Sequence, residues 1–196
     1  TRRGLGILGS KLPLPAFYSV EAVAKHHGLT FIPATSVNSK EYLEQLRRLN
    51  IDLVISINAS QKFKSELLAL PRLGCINVHG ALLPRYRGRL PSFWVLANGE
   101  RETGTTVHFM NEELDDGPIL LQEKVVIEPD DTQDTIIRKT KALGARLMVE
   151  AIDRLVGVLS LNWEAGDLGA LIAAEARAVR REAHRRQIEV IERRGQ

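Results

Sequence analysis

An α/β fold is predicted for this chain of 196 residues: a doubly wound, mostly parallel sheet with an antiparallel edge and a C-terminal helical tail. Three observations predict it. Ile51 to Ile57 and Cys75 to Val78 are short, apolar, β-branched runs, as strands buried on both faces would be. Segments with helical spacing separate such runs, and that alternation marks parallel βαβ units. Beyond residue 100 the strand-like runs Thr105 to Met110 and Ile119 to Ile127 are joined by Asn-Glu-Glu-Leu-Asp-Asp-Gly-Pro, whose turn formers reverse the chain and make an antiparallel edge.

Each element has a local reason. Ser19 to His27 reads as a short helix closed by Gly28, and Leu29 to Pro33 as a short strand. Asn38 is placed as an N-cap with Glu41 three residues on, opening a helix whose stripe is Leu43, Leu46 and Leu49. Lys62 to Leu70 forms another helix. Pro91 opens the next at its favoured first-turn position, and Gly99 closes it. Asp131 or Thr132 caps a long helix through Ile137, Leu143, Leu147 and Ile152, and Leu168 to Arg194 is a second helical stretch. Residues 1–160 are expected to form one domain and 161–196 an Arg-rich tail.

Composition narrows the function classes. The apolar fraction of 44% and charged fraction of 26% are those of an ordinary globular protein. No apolar run approaches a membrane span and no signal-like segment follows Arg2 and Arg3, so a cytoplasmic protein without a membrane partner is expected. The single cysteine, Cys75, cannot form an internal disulfide or a Cys-rich metal site. Seven Arg and four Glu lie within 170–196, leaving 20 residues of each sign elsewhere, so the whole net charge of +3 belongs to the tail.

The stretch Ile-Asn-Val-His-Gly-Ala-Leu-Leu-Pro-Arg-Tyr-Arg-Gly, residues 76–88, carries the chemistry. Asn77 and His79 are two apart in a strand, so both side chains leave one face at its carboxyl end, where open α/β sheets bind ligands. The segment from Glu112 to Gly117 offers four carboxylates that can return to the same rim. An imidazole oriented by a carboxylate moves protons near neutral pH, and a neighbouring amide can hold a developing oxyanion. Asn, His and Asp without a Ser or Cys nucleophile suit acyl transfer in which the substrate's own amine or water attacks.

These residues, with Gly104-Thr105-Thr106-Val107-His108 and Leu114-Asp115-Asp116-Gly117-Pro118, closely resemble the formyltransferases that use 10-formyltetrahydrofolate, over about residues 17–155. That family includes enzymes acting on methionyl-tRNA, glycinamide ribonucleotide and amino sugars. The resemblance implies a Rossmann-like formyltransferase fold and matches Asn77, His79 and Asp115 to the catalytic triad: Asn77 and protonated His79 stabilise the oxyanion, and Asp115 orients the imidazole. It further implies that Ser56, Ile57, Asn58, Leu82, Arg85, Tyr86, Val107, Phe109, Asn111, Leu114 and Asp116 frame the folate, with Arg85 and Arg87 available to its carboxylate tail. No metal is expected. His108 is read as a hydrogen-bonded core residue and Cys75 as packing.

The implied activity is transfer of a formyl group from 10-formyltetrahydrofolate to an amine. A small acceptor such as an amino sugar is favoured, because no β-barrel domain follows the catalytic part; tRNA is the alternative acceptor. Formyltetrahydrofolate hydrolysis and a non-catalytic folate-binding or interaction module are the remaining readings, and homo-oligomerisation is left open. The first sixteen residues, with Gly4, Gly6, Gly9, Pro13 and Pro15, are poor material for a central strand, so the domain is expected to lack the first strand and helix of its family.

Overall fold

A computed structural model describes residues 19–160, and the expected tail and first sixteen residues lie outside them. The chain divides into two compact units, Thr1–Thr35 and Ser36–Gln196. In the first, α1 (Val20–His26) is capped by Ser19, whose Oγ accepts the Ala22 N–H at 3.1 Å. Residues 29–33 follow as irregular chain rather than the expected strand.

The second unit holds the sheet. Helix α2 (Lys40–Arg48) is capped by Ser39, not Asn38, and buries Leu43 and Leu46 against Phe63, Leu67 and Cys75. The Asn38 side chain instead donates to the Lys62 carbonyl at 2.8 Å and accepts the Lys64 N–H at 2.9 Å. That commits the backbone of 62–64 to Asn38 and shortens the helix expected over Lys62 to Leu70 to α3 (Ser65–Leu68). Strand β1 (Val54–Ile57) precedes α3, and β2 (Cys75–His79), α4 (Pro91–Ala97), β3 (Glu102–Phe109), β4 (Ile119–Val126) and α5 (Gln133–Ser160) follow it.

The mixed sheet has the order β1-β2-β3-β4. β1 and β2 are parallel, whereas β2–β3 and β3–β4 are antiparallel, so among the described residues the antiparallel part is two pairs deep. Helix α5 starts from a reciprocal cap in which Thr132 Oγ1 accepts the Thr135 N–H and Thr135 Oγ1 accepts the Thr132 N–H. It packs on β2, β3 and β4, burying Leu147, Met148, Ala151 and Leu155 against Ile76, Val107 and Phe109.

Burial on both faces holds for β2, where Cys75 and Ile76 are both buried, but not for β1. Ile55 and Ile57 are 42% and 65% exposed. They share a face with Ile76 and Val78, their partners in register, yet α5 covers only the neighbouring strands. The opposite face carries Ser56, Asn77, His79, Thr106 and His108, and there the polar groups gather.

Candidate functional site

Strand β2 ends on Asn77 and His79, and β3 presents His108 directly opposite Asn77 in the antiparallel register. Both pairs of side chains follow from the pleat: residues paired across a ladder share a face. Asp115 arrives from the β3–β4 connection in a left-handed conformation, φ +51°. That connection folds back tightly. The Phe109 N–H bonds the Pro118 carbonyl at 2.8 Å, and a Cβ on Gly117 would lie 1.9 Å from the Phe109 carbonyl oxygen. Only a residue without a side chain fits there.

The four groups interlock. Asp115 Oδ2 lies 3.4 Å from His79 Nδ1 and accepts the Gly88 N–H at 2.9 Å, while Oδ1 lies 3.5 Å from His108 Nε2. Asn77 Nδ2 is 3.4 Å from Asp115 Oδ1 and 3.2 Å from His108 Nε2. His108 Nδ1 donates to the Phe109 carbonyl at 2.7 Å, which leaves Nε2 to accept from Asn77. His79 Nε2 donates to the Tyr86 carbonyl at 2.8 Å, so its Nδ1 is the free basic position beside Asp115.

Burial pushes the His79 pKa below its ordinary value, and the adjoining His108 adds to that; the Asp115 charge and the Tyr86 carbonyl offset it only in part. The resting imidazole therefore holds a proton less readily than an ordinary histidine. The 3.4 Å separation from Asp115 is longer than a charge-assisted hydrogen bond and agrees with a neutral ring. Burial, the largest influence on Asp115, pushes its carboxyl up, yet the contacts from His108, His79 and the Gly88 N–H together hold it below the usual carboxylate range. A neutral base beside a carboxylate is prepared to take up a proton.

An open cavity of about 520 Å³ lies over these groups. Of the residues expected to frame a ligand, Ser56, Asn58, Asn111 and Leu114 line it together with Asn77, His79 and Asp115. Others do not. Val107 and Phe109 belong to the core under α5, and Ile57 is on that same opposite face. Leu82 packs over Gly104 on β3. Arg85 pairs with Glu100, Arg87 pairs with Asp116, and the Tyr86 hydroxyl donates to Glu100 at 2.6 Å. These loop arginines are occupied by their own protein rather than turned to the cavity.

His108 is buried and hydrogen-bonded, as expected of it, and it also borders the cavity; sequence reasoning missed Lys62 and Phe63 on the cavity wall. Pairing β3 against β2 explains why His108 joins the site, since the partner of Asn77 shares its face. Among the described residues Lys62 and Arg89 have no ion-pair partner, so both cations are available to an anionic ligand. The same residues contain no cluster of His, Cys, Asp and Glu able to hold a metal, and no helix long and apolar enough to cross a membrane.

Residues 12–152 match the family model described as formyl transferase. The chain is 41% identical to a methionyl-tRNA formyltransferase of Thermotoga maritima over 69% of its own length and 44% of that protein's. It spans about half the length of the curated relatives it matches. Among solved structures, a phosphoribosylglycinamide formyltransferase from Bacillus halodurans aligns with a TM-score of 0.64 at 30% identity, covering 73% of this chain and 77% of that one. A sugar N-formyltransferase from a Shewanella species aligns with a TM-score of 0.59 at 33% identity, covering 73% and 55% respectively.

Proposed function

Because this chain belongs to the formyl transferase family, we propose that it transfers the formyl group of 10-formyltetrahydrofolate to the amine of methionyl-tRNA. The observation that carries the reading is the convergence of Asn77, His79 and Asp115 on one cavity. The small acceptor favoured on the sequence gives way here, because several relatives near 40% identity are named for methionyl-tRNA.

The acceptor amine attacks the formyl carbon, and the carbonyl electrons move onto oxygen. Asn77 Nδ2 holds only long contacts to His108 and Asp115, at 3.2 and 3.4 Å, and can redirect a hydrogen to that oxyanion. The attacking nitrogen gives its proton to His79 Nδ1 while Nε2 stays on the Tyr86 carbonyl, and the imidazolium so formed lies against Asp115. Collapse breaks the bond to N10 of the folate, which takes the proton back from His79 as it leaves. Lys62 and Arg89 provide positive charge for the anionic parts of donor or acceptor.

His79→Ala is expected to lower formyl transfer to methionyl-tRNA by about 10³-fold, in the range for loss of a positioned proton-transfer group. Retained activity would remove the site. Turnover with amino sugars alone would replace the acceptor, a reading favoured by the sugar N-formyltransferase likeness. Release of formate without any acceptor would point to hydrolysis.

A further inference from the structure

Outside the reacting centre, a small network converges on one backbone carbonyl. Tyr86 has φ +59°, a conformation that side-chain-bearing residues avoid, and its carbonyl takes the His79 Nε2–H at 2.8 Å. The other end of the residue is held by three groups. The Tyr86 hydroxyl donates to Glu100 Oε1 at 2.6 Å and accepts from Asn98 Nδ2 at 3.1 Å. Arg85 pairs with the same Glu100 oxygen, its guanidinium carbon 5.3 Å from the centre of the Tyr86 ring. Asn98 and Glu100 follow α4, so the connection to β3 reaches back to the loop that carries Tyr86.

We propose that Glu100, acting through Tyr86, is a positioning residue for His79: the hydroxyl–carboxylate bond holds the Tyr86 carbonyl where it fixes the imidazole tautomer and leaves Nδ1 facing Asp115. This rests on the reading of His79 as the proton acceptor. Glu100 does not touch His79. Its effect is mechanical, carried by a backbone held in a disfavoured conformation, and what Tyr86 needs from it is an acceptor atom rather than a charge.

The groups facing His79 are Asp115 from the β3–β4 connection, His108 from β3 and the Tyr86 carbonyl from the loop, with Lys62, Arg89 and Glu113 elsewhere on the cavity wall. The Tyr86 carbonyl is one of the groups that raises the affinity of His79 for its proton. Releasing it therefore moves the His79 titration to lower pH.

Three variants test this in the whole chain: Tyr86→Phe, Glu100→Ala and Glu100→Gln. Loss of one hydrogen bond in such a chain is expected to lower kcat about tenfold in Tyr86→Phe and Glu100→Ala, with KM for 10-formyltetrahydrofolate within about twofold of wild type. In both, the NMR titration of the His79 ring moves to lower pH. Glu100→Gln keeps an oxygen for the Tyr86 hydroxyl and is expected to stay within about threefold of wild type in kcat, with its His79 titration unmoved. Equal loss in Glu100→Gln and Glu100→Ala would overturn the positional role in favour of charge. An unmoved His79 titration in a folded Tyr86→Phe or Glu100→Ala protein, judged by its amide spectrum, would overturn it altogether. Full activity in His79→Ala would instead sink the site itself, so the two failures are distinguishable.

Discussion

The two faces of β3 differ as much as two proteins might. Towards α5 it presents Thr105, Val107 and Phe109, with Val107 fully buried and the Thr105 hydroxyl bonded to the Thr140 carbonyl at 2.9 Å. Towards the loop and cavity it presents Thr106 and His108, both buried as well, but spent on polar contacts. Thr106 Oγ1 donates to the Ala81 carbonyl and accepts from the Leu83 N–H, tying the Leu-Leu-Pro-Arg-Tyr loop to the strand. One residue step along the strand separates packing from chemistry, and burial alone does not distinguish the two.

Mutations on opposite faces should therefore separate cleanly. After His79→Ala, the largest effect is expected from Asn77→Ala, which removes the proposed oxyanion donor: kcat should fall by about 10²- to 10³-fold, or roughly 3–4 kcal/mol, with the thermal midpoint little changed. A large drop in thermal midpoint instead would show that the polar face is structural after all. On the other face, Leu147→Ala leaves a cavity under the sheet and should cost about 3 kcal/mol in urea unfolding. If the folded fraction of that variant also lost kcat, the faces would be coupled rather than separate.

The smallest effect concerns acid. His79 has its folded pKa below the ordinary 6.5, so the unfolded chain binds that proton more readily, and stability declines as pH falls below about 6.5. Asp115 is also held low, and Asp131, through Lys139, Glu128 N–H and Thr135, is held at about 2. Their contributions are present above the ordinary value of 3.8 and are lost as pH falls from there through their folded values. Urea midpoints measured against pH should show both declines. His79→Gln should erase the upper one, and Asp131→Asn should reduce the lower one without touching the upper.

Much of this arrangement is legible without coordinates. The spacing of Asn77 and His79 defines their shared face, and the Glu112 to Gly117 segment does return its carboxylate to that rim. The error lay in phase. Val107 and Phe109 are expected at the ligand, whereas they face the core under α5, and His108, buried and hydrogen-bonded as expected, takes the cavity face. A run of consecutive apolar and polar residues states its period but not which half faces inward; that depends on the partner strand, a contact far away in sequence. Arg85 and Arg87 fail for a related reason. Their carboxylate partners, Glu100 and Asp116, come from other loops, so composition alone leaves the arginines looking available. Similarly, Ile51 to Ile57 has the make-up of a doubly buried strand, while Ile55 and Ile57 lie beyond the cover of α5.

Gly117 does not line the cavity, yet its missing methyl group works as a ruler. The Phe109 carbonyl can approach only because nothing projects from residue 117, and that approach sets how far back the chain carries Asp115. The same carbonyl holds His108 Nδ1, so two members of the polar cluster take their reach from one steric gap. A side chain at position 117 is therefore expected to displace Asp115 and His108 together, although what it would fill is only empty space.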